Sequence, residues 1–136
     1  MEKETGLLSM PDKIDRRKHP RFPVLLRIEY QRATHARTHA GRVLDISESG
    51  LMLHLSERVE VGHNLNLKMF IGSGISKFID AGVRVVWKQF NKGNGYRIGG
   101  KFMHISSEEK IKLEFLLRHL MKAKAHEGLN SFPRLL

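Results

Sequence analysis

The chain has 136 residues, with 24 Lys plus Arg against 14 Asp plus Glu, a formal charge of +10 with its 8 His neutral, and no Cys. That length suits one domain able to bury its own core. The lack of Cys excludes a disulfide framework, Cys-type zinc and iron–sulfur sites, and a thiol nucleophile. The positive balance calls for an anionic partner without saying which kind.

No stretch approaches the roughly 18 to 20 consecutive apolar residues of a membrane span. The start, MEKETGLLSM, lacks the apolar core of a signal peptide. The expected setting is therefore cytoplasmic, without membrane insertion. Residues 1–15 read as a polar, flexible tail, and a basic run follows: Arg16, Arg17, Lys18, His19, Pro20, Arg21.

Phe22 to Gln31 is the first convincing strand, with Val24, Leu26, Ile28 and Tyr30 on one face and Arg27 and Glu29 on the other. RATHARTHAG reads as a turn with part of a hairpin. Strands are then expected at 42–46, 51–55 and 65–71, with SESG breaking the first from the second. A loop at 72–76 leads to strands at 77–88 and 95–105, joined by a hairpin at QFNKGN. In the former, Ile79, Ala81, Val83, Val85 and Trp87 share a face by alternation, which puts Trp87 into barrel packing. Met52, Met69, Met103 and Met121 read as core filling.

The period then lengthens to about 3.6 residues. Ser106 and Glu109 form a capping-box pattern, and Glu108 adds charge to the first turn. Ile111, Leu113, Phe115, Leu116, Leu117, Leu120 and Met121 give the helix a broad apolar side, expected chiefly to cover the barrel. A helix is expected over 107–126 with Gly128 as its stop, and a second tail over 128–136. Five or six close-spaced strands with no helices between them favour a small antiparallel barrel over βαβ repeats.

Two segments carry chemistry. In RRKHPR, Arg17 and Arg21 offer planar guanidinium forks suited to bidentate phosphate contact and to stacking on a base. In Asp45-Ile-Ser47-Glu-Ser-Gly50, the carboxylate can accept from guanine N1–H and N2–H, the hydroxyl can add a contact, and the glycine permits a tight turn or close backbone approach. The same features also fit a solvated charge cluster and a Ser- or Asx-stabilised turn.

These segments resemble the PilZ domain, the bacterial receptor module for cyclic di-GMP. Its Arg-x-x-x-Arg element is matched by Arg17 to Arg21, and its Asp/Asn-x-Ser-x-x-Gly element by Asp45 to Gly50. Val85-Val86-Trp87 and Tyr96 to Phe102 are similar too, and the resemblance spans roughly residues 15–121. It implies an all-β fold, a six-stranded antiparallel β-barrel with a C-terminal α-helix, forming one unit over 16–127 with a switch segment at 16–21.

The resemblance also implies a ligand site. Arg17 and Arg21 would hold phosphates and stack on or hydrogen-bond to guanine, Asp45 and Ser47 would read a guanine edge, and Gly50 would shape the loop. Arg16 matches a basic position associated with an intercalated ligand dimer, so two cyclic di-GMP molecules per chain are expected. The implied function is a non-catalytic receptor that orders its arginine segment on binding and signals to an unidentified protein partner, the chain being a monomer or weak homodimer.

His35 and His39 lack a completing ligand set, so no metal or cofactor is expected. No activated serine, phosphate loop or metal triad supports catalysis. A nucleic-acid-binding barrel would need aromatics interleaved with its cations, and Phe22, Phe70, Phe78 and Phe90 give no such pattern; no nucleic acid is expected. The remaining alternative is an adaptor that binds no dinucleotide.

Overall fold

In the computed structural model the described residues are 19–72 and 77–130, with side chains to 123. The order is β1 (Phe22–Arg32), β2 (His39–Ile46), β3 (Gly50–Leu55), β4 (Asn64–Phe70), β5 (Phe78–Phe90), β6 (Tyr96–His104) and α1 (Ser107–Asn130). All neighbouring strands are antiparallel, and they close in the order β1-β2-β3-β6-β5-β4. Closure leaves no free edge to pair with another chain.

Alternation explains the interior. Ile28, Tyr30, Val43, Leu53, Leu55, Leu65, Leu67, Met69, Ile79, Val83 and Ile98 point inward from the strands and form one buried cluster. The β3–β4 connection adds Val59 to it, and α1, packed on β5 and β1, adds Leu113. The QFNKGN hairpin is closed by Asn91 N–H donating to Gly95 O at 2.9 Å and Asn94 N–H to Asn91 O at 2.8 Å.

Strict alternation fails at the β-bulges, where one extra residue reverses the faces beyond it. Val43 and Ile46 are both buried although three residues apart, because a bulge between Val43 and Asp45 resets the strand. A bulge between Val85 and Trp87 does the same on β5, so Trp87 lies outside the barrel, 37% exposed, against the expectation that it packs with Val83 and Val85. A third, between Gly82 and Val83 on the β5–β6 ladder, leaves Met103 without an opposite residue and exposed rather than in the core.

The helix differs from expectation in length and in its apolar side. It continues through Gly128 to Asn130. Leu113 is buried and Leu116, Leu117 and Leu120 pack partly on the core, whereas Ile111, Phe115 and Met121 face solvent. At its start Glu109 N–H donates to Ser106 Oγ at 3.2 Å, half of a capping box. The Glu109 carboxylate turns instead to the Asp80 N–H of β5 at 2.9 Å and to Lys112 Nζ at 3.1 Å, fastening the helix to the sheet. Burial raises the Glu109 pKa, but those two partners outweigh it and hold the carboxyl below its usual value.

Candidate functional site

The site is built where β1 begins and β2 ends. In their ladder Phe22 faces Ile46 and Pro23 faces Asp45. The residues just before β1 continue along the residues just after β2. His19 Nε2 lies 3.5 Å from Glu48 Oε1, and Arg21 Nη1 lies 3.2 Å from Asp45 Oδ1. Both partners of the second pair are mostly covered, at 24% and 18% side-chain exposure. Asp45 Oδ1 is buried and receives no aligned hydrogen bond among the described residues, so Arg21 balances its charge without satisfying its lone pairs. The bulge at Val43/Asp45 turns this carboxylate outward.

Ser47 plays a different part from Asp45. Its side chain is 2% exposed, and its Oγ accepts the N–H groups of Ser49 and Gly50, each at 3.2 Å. Ser47 N–H donates to Gly50 O at 2.8 Å, and Ser47 Oγ–H lies 3.3 Å from that carbonyl. The hydroxyl thus fixes the shape of the turn that follows Asp45. Ser49 O accepts Phe102 N–H of β6 at 2.9 Å, locking the turn to the next strand.

Gly50 is needed for proximity: a Cβ there would stand 2.3 Å from the Gly100 carbonyl oxygen, since β3 and β6 approach closely at that point. Arg21, Asp45, Ser47 and Gly50 are therefore brought together. Arg16 and Arg17, with Lys18, lie outside the described residues.

Around this nucleus the barrel surface is ordered in transverse rows. Asp45 faces Met52, Met52 faces Gly99, and Gly99 faces Trp87. The indole lies against Gly99, where a Cβ would stand 2.0 Å from Trp87 Nε1. On one side of that row Gly50 faces Lys101 and Lys101 faces Arg84. On the other, Arg27, Arg42, His54 and Arg97 face one another in turn across four strands. Directly opposed like charges oppose pairing in a sheet, so these rows lay down a positive field around Asp45 rather than stabilise the barrel.

Sequence patterns did not place Trp87, Arg84, Arg42 or Arg27 beside Asp45, and Arg97 and Lys101 read there chiefly as surface charge. The detectable signal was Val85-Val86-Trp87, three successive bulky apolar residues that a one-face strand cannot bury together.

The remaining candidates sort clearly. Arg27 sits 4.2 Å over the Phe70 ring and Lys68 4.6 Å over Phe78, so cations cover these aromatic faces that base stacking would require. His39 pairs with Glu57 at 3.0 Å, and among the described residues no group of His, Asp and Glu has metal-holding geometry. No helix among the described residues is long and apolar enough to cross a membrane.

The fold is thus a closed six-stranded antiparallel barrel with one C-terminal helix, and Arg21, Asp45, Ser47 and Gly50 lie together on its outer wall. The PilZ domain model matches residues 15–119, and the chain belongs to that family. No curated protein matches it.

Among solved structures it is similar to the PilZ domain with c-di-GMP of YcgR from Escherichia coli, at 15% identity and TM-score 0.63, covering 87% of this chain and 100% of that one. It is also similar to Bacillus subtilis inhibitor of motility, MotI/DgrA, at 16% identity and TM-score 0.67, covering 87% of this chain and 57% of that one. The K. pneumonia MrkH–c-di-GMP complex matches at 18% identity and TM-score 0.64, covering 82% and 54%. The chain thus spans little more than half of the MotI and MrkH chains. These likenesses show the fold.

Proposed function

We propose that this chain is a non-catalytic cytoplasmic receptor for cyclic di-GMP. The observation that carries the proposal is the Arg21–Asp45 pair, held at 3.2 Å beside a rigid Ser47–Gly50 turn. Family membership and the ligand named in the YcgR and MrkH structures support the choice of ligand.

The two partners are a donor fork for phosphate and an acceptor for guanine, stored against each other. A guanine that offers N1–H and N2–H to Asp45 replaces Arg21 there with linear hydrogen bonds. The released guanidinium then meets the ligand's phosphate or stacks on its base. Arg17 completes the phosphate clamp, and Arg16 admits a second, stacked ligand molecule. Ordering this cationic segment costs conformational entropy, which neutralisation by ligand phosphates offsets. The new pose of the segment on the barrel then creates or hides a surface for a protein partner.

Calorimetric titration with cyclic di-GMP, with GTP and cyclic di-AMP as controls, tests this. Selective heat with a stoichiometry of one or two is the expected result. Absence of heat at tens of micromolar ligand overturns the receptor reading. Amide exchange over residues 1–21 with and without ligand tests the ordering step, and identical exchange in both states sinks that step alone.

A further inference from the structure

The outer side of α1 carries an apolar stripe that no described residue covers. Ile111 and Phe115 are 59% and 66% exposed, on the side of the helix opposite buried Leu113. Glu108, Ile111, Phe115, Arg118 and Lys122 recur at alternating steps of three and four residues, which sets them in one line along the helix. The line is about 21 Å long at 1.5 Å per residue. Its ends have opposite sign, Glu108 at one and Lys122 at the other, and neither has an ion pair among the described residues. Arg118 lies 5.8 Å over the Phe115 ring, extending the flat surface at the centre.

We propose that this stripe binds a second copy of the chain, with the two helices antiparallel about a twofold axis passing beside Phe115. Residues equally far before and after Phe115 then face each other. Phe115 meets its counterpart, Ile111 packs against the aliphatic and ring atoms near His119, and Glu108 meets Lys122 at both ends. A parallel pair would set Glu108 against Glu108 and Lys122 against Lys122, so charge selects the antiparallel arrangement. Such an interface is isologous, the commonest form of self-association. Because the barrels pack on the opposite side of each helix, they lie outside the pair and do not collide. Two short helix faces make a contact at the small end of specific interfaces, so the dimer is weak and concentration-dependent.

Sedimentation velocity on the full chain over a range from about 5 to 500 µM reads this directly, in the affinity range where small interfaces fall. The expected result is a monomer–dimer equilibrium that Phe115→Glu or Ile111→Glu removes; both positions face solvent, so circular dichroism should show an unchanged fold. Glu108→Lys alone and Lys122→Glu alone should each weaken the dimer about tenfold, because each replaces two attractive pairs by two repulsive ones. The double variant should recover most of the loss. A wild-type chain that stays monomeric throughout overturns the proposal, including the case in which another part of the chain occupies the stripe. A dimer insensitive to Phe115→Glu, or charge variants whose effects merely add, overturns it equally.

Discussion

Arg21 and Asp45 hold each other 3.2 Å apart across the start of the β1–β2 ladder, and neither belongs to the barrel's core. Removing either one should therefore alter binding far more than folding. Asp45→Ala should weaken cyclic di-GMP binding by about 10- to 100-fold, the worth of one or two charge-assisted hydrogen bonds. The thermal midpoint should stay within a few degrees of wild type. Calorimetry with a parallel melt checks both halves; unchanged affinity would remove Asp45 from the site.

Ser47→Ala should behave in the opposite way. It strips a buried acceptor from two N–H groups, so a destabilisation of about 1–3 kcal/mol is expected. Urea denaturation measures it. The contrast with Asp45→Ala would separate a residue that shapes the turn from one proposed to meet the ligand, although both belong to one motif.

Trp87 is the chain's single tryptophan. It lies in the same transverse row as Asp45, three strand spacings or about 14 Å along the curved barrel wall. Its emission should change as ligand saturates the site. Gly99→Ala should force the indole off its seat, shift the emission of the free protein, and cost about 1–3 kcal/mol through overpacking. An emission spectrum unmoved by saturating ligand would confine the ligand to the β1–β3 side of the row.

Tyr30 gives the fold an alkaline limit. Burial pushes its phenol pKa up, and the hydrogen bond it donates to Glu57 at 2.9 Å pushes it further. Its folded value exceeds its unfolded value, so the folded chain retains a proton that the unfolded chain has lost. The resulting stability is complete below about pH 10, the ordinary tyrosine value, and is lost as pH rises above it. Denaturation midpoints should fall through that range, and Tyr30→Phe should flatten the decline. A parallel decline in both proteins would place the cause elsewhere.

Much of this was legible along the chain. Apolar alternation located all six strands, the change of period located α1, and two short motifs located Arg21, Asp45, Ser47 and Gly50. What alternation could not supply was the facing of Trp87 and Met103: the run Val85-Val86-Trp87 hints at the first bulge, but the one opposite Met103 leaves no compositional mark. Nor could it show Arg27, Arg42, His54 and Arg97 in one row, since that alignment depends on register between strands distant in sequence. Ile111 and Phe115 misled for a related reason: a helix can carry apolar residues on two sides, and only the position of Leu113 against the barrel reveals which side is inward. Ser47 was legible as a candidate in the motif, but its burial under two N–H groups was not.

The bulge between Val43 and Asp45 gives the site something like a reading frame. Replacing Leu44 leaves the spacing intact, so most apolar substitutions there should pass unnoticed. With Leu44 in place, a strand that paired without the bulge would turn Asp45 toward the aliphatic interior and Ile46 out of it; deleting Leu44 removes the bulge itself and leaves Val43 inward, Asp45 outward and Ile46 inward. An inserted residue moves Asp45 and Ile46 to the opposite faces unless the bulge widens to absorb it, so insertions at this point are a different class of event from substitutions. The same constraint lets strand composition drift widely, in keeping with barrels that share this fold at 15–16% identity.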